Sequence, residues 1–207
     1  MNVLVIAPHP DDETIGCGGT VCVHAKRGDV ISAIFLTSGE LGLKHLPRDQ
    51  ARATREREAR KAARILKLKN LFFLRCSDWT LGNEIPEAAR LLRPLLKSIR
   101  PELIYLPHPQ DAHPDHMAAL PILRAAFKNG LRSISLRFYE VWTPLSHFDF
   151  VQDISPVMSQ KLRALRAHQS QLREFDYIQA ITGLNRYRGV LAAKSKFAEV
   201  FSETVRK

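Results

Sequence analysis

Two short segments of the chain hold the side chains best suited to bind a metal ion. One covers residues 8–13 and the other residues 108–116. Histidine and aspartate are the ligands of catalytic zinc, which usually takes three protein ligands and leaves a fourth position for water. His9 and Asp12, three residues apart, can converge on one ion, and His116 can supply a third ligand. The pattern predicts one zinc site formed by His9, Asp12 and His116.

The other polar residues of these segments predict the chemistry at such a site. Asp11 needs no ligand role, so it can act as a base toward a water molecule whose pKa the zinc lowers to about 7. His113 can donate to the oxyanion that forms when a carbonyl is attacked. Asp115 is then expected to hold the His113 ring and keep it protonated. A metal, a base and an oxyanion donor together indicate amide hydrolysis.

Simpler explanations exist for each residue taken alone. A His-Pro dipeptide such as His9-Pro10 is more often a loop feature than a ligand. Asp12 and Asp115 can each cap a following helix, because aspartate is a favoured N-cap residue. His113 can cap or pack its own loop. Capping is a weaker explanation for two clusters of histidine and aspartate in equivalent positions.

Short apolar runs alternate with segments of helical periodicity along the chain. Strands are predicted at residues 3–6, 30–36, 71–74, 103–106 and 135–142, and helices at residues 15–27, 49–67, 84–99, 115–128, 156–173 and 190–203. The alternation predicts one α/β domain over residues 1–207, a Rossmann-like three-layer sandwich with a mostly parallel central sheet. Both polar segments follow strands, so they are expected at the carboxyl edge of the sheet, where ligands bind in such folds.

Composition limits the classes of partner. The net charge is +10, and nine Lys or Arg face three acids between Arg48 and Lys69. A solvated helix face explains this run, and the chain contains no nucleic-acid-binding motif. No apolar run reaches the ~20 residues of a membrane helix, and the start has no signal-peptide pattern, so no membrane partner and a cytoplasmic location are expected. Three cysteines without a CxxC pair predict buried free thiols.

The segment Ala7-Pro8-His9-Pro10-Asp11-Asp12-Glu13, followed by Gly16, Gly18 and Gly19, resembles the signature of the PIG-L/LmbE family of N-deacetylases. Residues 111–116 resemble the second motif of that family, and residues 37–40 and 55–59 resemble two weaker blocks. The resemblance implies one zinc per chain on His9, Asp12 and His116, Asp11 as general base and His113 at the oxyanion. It also places Arg55 on the substrate side, and it implies a small amino-sugar substrate.

Several points stay open. The bacillar thiol-precursor enzymes of this family tend to carry a basic residue where this chain has Ala112, so the particular sugar is not determined. The sequence also leaves open whether the acyl group is acetyl and whether the chain forms a homo-oligomer. Residues 139–147 and 174–190 either close over a substrate or pack as ordinary structure.

Two other functions are compatible with parts of the pattern. His9, Asp11 and His116 match the two-histidine, one-carboxylate site of a non-haem iron oxygenase, although such sites commonly occur on jelly-roll folds. A non-catalytic binder of an anionic sugar or nucleic acid could use the basic helix.

Overall fold

A computed structural model describes residues 1–127 and 134–203. Within these ranges one sheet has the strand order β3-β2-β1-β4-β5-β7-β6. The strands are β1 Asn2–Ala7, β2 Val30–Thr37, β3 Asn70–Cys76, β4 Leu103–Pro107, β5 Ser135–Tyr139, β6 Phe150–Asp153 and β7 Ala198–Glu203. Strands β1 to β5 are parallel, whereas β7 pairs antiparallel with both β5 and β6. The predicted α/β class and the mostly parallel sheet are confirmed.

Helices cover both faces of the sheet. They are α1 Asp12–Lys26, α2 Arg48–Leu66, α3 Ile85–Ile99, α4 Pro114–Ala126, α5 Met158–Leu165, α6 Gln169–Leu172 and α7 Tyr177–Arg188. In β1, Leu4 and Ile6 pack in the core beneath α3 and α4, and Val3 and Val5 pack in the core beneath α1, α2 and α5. After Asn2 the strand has no polar residue, which a sheet covered on both faces requires because successive side chains of a strand point to opposite faces.

The glycines after β1 permit close packing. A Cβ on Gly16 would overlap the Tyr139 ring, and a Cβ on Gly19 would lie 2.7 Å from Ile154. The helix can therefore approach the sheet only because these positions lack a side chain.

The structure corrects the second half of the secondary-structure prediction. The helix predicted at residues 190–203 is wrong: a π-helical turn, Gly189–Ala193, leads into β7. The helix predicted at residues 156–173 is interrupted after Leu165, and the strand predicted at residues 135–142 ends at Tyr139. Neither β6 nor α7 was predicted. The helix predicted at residues 115–128 is α4 and ends at Ala126; residue 128 lies outside the described residues.

Other expectations can be compared directly. Cys17, Cys22 and Cys76 are buried and free, as predicted. On α2 the basic side chains of Arg57 and Arg60 are exposed while Ala59 and Ala62 face the core, so this run forms a solvated helix face. No helix within residues 1–127 and 134–203 is both long and apolar enough to cross a bilayer.

Candidate metal centre and active site

Both polar segments lie at the carboxyl edge of the sheet, where β1 and β4 are neighbours. Residues 8–13 connect β1 to α1, and residues 108–116 connect β4 to α4. The parallel pairing of Val3 with Leu103 and of Val5 with Tyr105 brings the two loops together although about a hundred residues separate them. The sheet order therefore assembles one site from two distant segments.

Three predicted ligand atoms form a compact triangle. His9 Nδ1 lies 3.2 Å from Asp12 Oδ2, His116 Nε2 lies 3.2 Å from the same oxygen, and the two nitrogens are 3.3 Å apart. A tetrahedral ion with metal–ligand bonds of about 2.0–2.1 Å separates its ligand atoms by about 3.3–3.4 Å. The three side chains thus have the spacing that one such ion requires.

Asp12 does not serve as a helix cap. Its Oδ2 accepts a hydrogen bond from the His9 backbone N–H at 2.8 Å, and the N-cap position of α1 is Asp11, whose side chain makes no capping bond. The bond to the loop backbone instead fixes the Asp12 carboxylate against the two histidine rings. Capping therefore does not account for Asp12.

Carboxylates hold the far side of both histidine rings. His9 Nε2 lies 3.1 Å from Asp115 Oδ2 and 3.2 Å from Asp78 Oδ1. His116 Nδ1 lies 3.0 Å from Asp111 Oδ1. A metal-binding histidine usually gives its second nitrogen to a carboxylate or carbonyl, which fixes the tautomer and the ring orientation. Both rings are therefore fixed with His9 Nδ1 and His116 Nε2 facing the triangle.

The sequence analysis gave no role to Asp78 or Asp111. Asp111 belongs to the second motif, and its place five residues before His116 is the only signal that it has a role. Asp78 follows β3, far from both polar segments in sequence. Its position just after the carboxyl end of a predicted strand is the one clue that the sequence offers.

The environment of the triangle favours a cation. Burial lowers the pKa of His9, but the carboxylates of Asp115, Asp12 and Asp78 outweigh it and raise that pKa well above its usual value. Burial also lowers the pKa of His116, and contacts with Asp12 and Asp111 bring it to about 9. Negative charge that raises the pKa of both rings also attracts a divalent ion.

Asp11 occupies a strained position beside the triangle. Its φ of 130° lies where L-residues are rare, and such a conformation costs on the order of 1–3 kcal/mol. The backbone N–H of Asp11 donates to Glu13 Oε2 at 3.1 Å, and Arg55 Nη2 donates to its carboxylate at 3.1 Å. Burial raises the pKa of Asp11 and Arg55 lowers it, with a net value of about 6. Asp11 is therefore a buried carboxylate that the chain holds beside the triangle in a strained backbone conformation.

The structure places Arg55 against Asp11. The side chain is buried, and its guanidinium donates to Gly39 O at 2.9 Å and to Pro10 O at 2.8 Å as well as to Asp11. Gly39 has a φ of 61°, and a Cβ there would overlap Arg55 Nη1, so glycine makes room for the guanidinium. Arg55 therefore holds the Asp11 carboxylate in place, and its predicted position on the substrate side stays a prediction.

We expect Arg55→Lys to reduce kcat on the order of 10²-fold, because a misplacement of about 1 Å at a catalytic group has an effect of that size. An ammonium group cannot make all three guanidinium contacts, so the Asp11 carboxylate shifts. Steady-state kinetics should show a larger change in kcat than in KM. Arg57→Lys, on the exposed side of the same helix, is the matched control and should match the unaltered protein. A rise in KM alone would return Arg55 to the substrate side.

The structure also corrects the expected pairing of His113 with Asp115. The Asp115 carboxylate contacts His9 and accepts hydrogen bonds from Trp79 N at 2.8 Å and Leu81 N at 3.1 Å. His113 Nδ1 instead accepts from the Asp115 backbone N–H at 3.2 Å, which caps α4. Burial, together with positive charge on His9 and His116, lowers the pKa of His113 to about 4. The ring is neutral, so the expectation that Asp115 keeps it protonated is wrong.

Because His113 Nδ1 accepts the capping hydrogen bond, only Nε2 of this ring can donate one. A neutral ring whose Nδ1 accepts carries its hydrogen on Nε2. The His113 ring centroid lies 4.6 Å from that of His9 and 4.9 Å from that of His116. His113 is therefore a neutral hydrogen-bond donor beside the triangle of His9, Asp12 and His116.

A family model described as PIG-L, GlcNAc-PI de-N-acetylase, matches residues 4–127. A probable N-acetyl-alpha-D-glucosaminyl L-malate deacetylase 2 of Bacillus anthracis is 31% identical, over 82% of this chain and 81% of that protein. Diacetylchitobiose deacetylase of Thermococcus kodakarensis is 31% identical, over 83% of this chain and 70% of that protein. The crystal structure of the conserved protein TT1542 from Thermus thermophilus superposes with a TM-score of 0.83 at 31% identity, covering 100% of this chain and 96% of that one.

Proposed function

This chain belongs to the PIG-L family, and from that premise we propose that it is a zinc-dependent N-deacetylase. It hydrolyses the acetamide of an N-acetylglucosamine-type sugar or glycoside to a free amine and acetate. The triangle of His9 Nδ1, Asp12 Oδ2 and His116 Nε2 carries the proposal. The names of the relatives, which specify an N-acetylglucosaminyl malate and diacetylchitobiose, support the sugar.

The donor set supports zinc as the metal, one ion per chain. Two imidazole nitrogens and one carboxylate oxygen suit zinc, and three ligands leave a position for water or substrate. When bound, zinc supplies a Lewis acid that polarises a carbonyl oxygen and makes water acidic enough to react near neutral pH. His9, Asp12 and His116 hold the ion, while Asp78, Asp111 and Asp115 orient the two rings.

The protein side chains carry the proton transfers. Asp11 accepts a proton from the attacking water as the water oxygen bonds to the acetamide carbon. His113 Nε2 donates a hydrogen bond to the oxyanion of the tetrahedral intermediate. The C–N bond then breaks, and Asp11 returns the proton to the departing amine nitrogen. Arg55 keeps the Asp11 carboxylate in place during both transfers.

The two alternatives have less support. Asp11 is bound by Arg55, and the triangle takes its carboxylate from Asp12 instead, which still gives two histidines and one carboxylate; the donor set alone therefore does not separate zinc from iron, and the fold does. The central sheet is mostly parallel, unlike the jelly rolls on which such iron sites commonly occur. A non-catalytic binder has no need of a strained, buried Asp11 beside a ligand triangle.

A screen of acetamido sugars tests the proposal. The zinc-loaded protein is incubated with N-acetylglucosamine, its methyl glycoside, its malate and inositol glycosides, and diacetylchitobiose. We expect at least one glycoside to release amine and acetate in equal amounts. Zinc-loaded Asp11→Asn, run in parallel, measures the background. An absence of amine from every sugar with fully loaded protein would contradict the proposal.

We expect His113→Asn to lower kcat by roughly 10²–10³-fold with zinc still bound, which is the usual effect of removing one oxyanion donor. Asparagine is a good N-cap, so this variant keeps the cap of α4 and loses only the Nε2 donor. His108→Asn is the control, because His108 is buried in the same loop and its Nε2 contacts Thr143 O at 2.7 Å. An unchanged kcat in His113→Asn would reduce His113 to a helix cap.

A further inference from the structure

The two carboxylates that contact the ligand histidines also accept hydrogen bonds from the backbone N–H groups of two tryptophans. Asp115 Oδ2 contacts His9 Nε2 and accepts the backbone N–H of Trp79 at 2.8 Å. Asp111 contacts His116 through Oδ1 and accepts the backbone N–H of Trp142 through Oδ2 at 3.0 Å. The backbone of each tryptophan is therefore linked to a ligand histidine through one shared carboxylate.

Both indole rings face solvent. Trp79 is 55% exposed and Trp142 is 46% exposed. An exposed apolar patch rimmed by polar residues marks a binding surface, and Trp142 forms such a patch with Phe175, which is 52% exposed. Trp79 also has a φ of 68°, a conformation that is a real outlier for a bulky residue. Fold stability explains neither the exposure nor the strain.

Trp79 lies against the proposed oxyanion donor. Its ring centroid is 4.6 Å from that of His113, with the planes inclined by 51°. The reacting carbonyl must approach His113 closely to receive its hydrogen bond. The indole therefore borders the space that the acetamide and its own sugar ring would occupy.

Trp142 belongs to a separate aromatic cluster. Its ring centroid lies 5.5 Å from that of Phe175 and 6.1 Å from that of Tyr177. Tyr177 also packs against the buried cluster that contains Ile15, in the first turn of α1 after Asp12, so the aromatic cluster adjoins the site.

A buried ion pair braces the segment that carries Trp142. Arg188 at the end of α7 donates to the Glu140 carboxylate and to Leu145 O, and Glu140 also accepts from Leu145 N at 2.6 Å. The brace joins residues 140–145 to the helix that carries Tyr177. The aromatic cluster is therefore a fixed wall.

We propose that Trp79 and Trp142 form two sugar-binding walls, so that the substrate is a glycoside with a second ring and not a free monosaccharide. One face of the acetamido sugar stacks on Trp79, and the group attached to that sugar packs against the Trp142 cluster. The C–H groups on a pyranose face are apolar and slightly positive, which suits the negative face of an indole. This inference rests on the proposed deacetylase function.

The chain has only two tryptophans, Trp79 and Trp142, so tryptophan fluorescence, excited where tyrosine does not absorb, reports on these walls alone. In Trp142→Phe the remaining Trp79 should respond saturably to both the methyl glycoside of N-acetylglucosamine and diacetylchitobiose. In Trp79→Phe the remaining Trp142 should respond to diacetylchitobiose and not to the methyl glycoside. Neither titration requires turnover.

Kinetics supply a second readout. Trp79→Ala should raise KM about 10-fold for both sugars, as loss of a stacked aromatic contact predicts, whereas Trp142→Ala should do so only for diacetylchitobiose. The phenylalanine variants should recover part of the loss, and zinc content should not change. Tyr187→Ala is the control, because Tyr187 is 57% exposed but its described ring contact is with Arg188.

The outcomes separate the two proposals. Saturable fluorescence changes without amine release would support the walls and contradict the deacetylase function. Amine release with unchanged KM and unchanged fluorescence in the tryptophan variants would leave the function standing and overturn the walls. A Trp142 response to the methyl glycoside equal to that for diacetylchitobiose would overturn the requirement for a second ring.

Discussion

His116→Ala is expected to abolish zinc binding and turnover together. The unaltered protein should carry about one zinc per chain, and reversible chelation should remove its activity. The variant lacks Nε2, which lies 3.2 Å from Asp12 Oδ2 and 3.3 Å from His9 Nδ1. Two ligand atoms then remain, fewer than the three protein ligands of a catalytic zinc site. His9→Ala removes a different corner of the same triangle and should behave in the same way.

The carboxylates behind the rings provide a graded comparison. Asp111→Asn keeps all three ligands but loses the charge beside His116 Nδ1 and one of the two oxygens that accept backbone N–H groups, so it should weaken zinc by the 10–100-fold typical of such partners. His116→Ala should weaken zinc by more than that. Metal analysis after dialysis against buffered free zinc measures both affinities.

The control for burial is His24→Ala. His24 is also buried, with Nδ1 2.7 Å from Asp29 and Nε2 2.9 Å from Tyr105 Oη, but it lies far from the triangle at the other end of the sheet. The His24→Ala variant should be less stable to unfolding but should still bind zinc. Thermal unfolding of each metal-free variant separates a folding defect from a binding defect. Full zinc occupancy in both His9→Ala and His116→Ala would remove these residues from the ligand set.

The first half of the fold could be predicted because its local patterns agree with its environment. Strands β1, β2 and β4 are mostly apolar and are buried on both faces, as expected of parallel strands covered by two helical layers. The topological rule for such sheets then placed both polar loops at one edge. The adjacency of β1 and β4 itself is a long-range pairing that no local pattern encodes.

The end of the chain shows where local patterns fail. Residues 198–203 do not alternate between apolar and polar residues as a half-buried strand would, and Glu199 is buried within β7. Its carboxylate accepts from buried Lys161 at 2.7 Å and from the backbone N–H groups of Gly19 and Thr20. A buried charge is tolerated only with such partners, and these partners come from α1 and α5. These partners lie far from residues 198–203 in the sequence. No local pattern could therefore show that Glu199 would be buried, and the segment was predicted as a helix.

Within the site, residue types and spacing were sufficient for the ligand triangle but not for the direction of each carboxylate. Asp115 follows His113 by two residues at the start of α4, and residues two apart on a helix do not share a face. The N-cap geometry gives His113 the Asp115 backbone N–H and turns the carboxylate toward His9. The sequence identifies His113 and Asp115 as site residues. It does not show that the His113 ring caps α4 while the Asp115 carboxylate contacts His9.

Asp11→Asn is expected to retain zinc and to lose activity by on the order of 10²–10⁴-fold, the range for a general base. The substitution preserves the shape of the side chain, and asparagine is among the residues that tolerate a positive φ. An amide cannot accept the proton of the attacking water. It also loses the charge-assisted contact with Arg55 at 3.1 Å. Single-turnover rates with zinc-loaded protein isolate the chemical step from substrate binding.

Asp12→Asn is the matched comparison, because the two residues are adjacent, buried and chemically identical. Its Oδ2 meets both ligand nitrogens at 3.2 Å, so loss of its charge should weaken zinc itself. Excess zinc should therefore restore part of the activity of Asp12→Asn and none of that of Asp11→Asn. Zinc rescue separates the two roles where activity alone cannot, since both variants are slow. Rescue of Asp11→Asn by zinc, with Asp12→Asn fully loaded and inactive, would exchange the assignments of base and ligand.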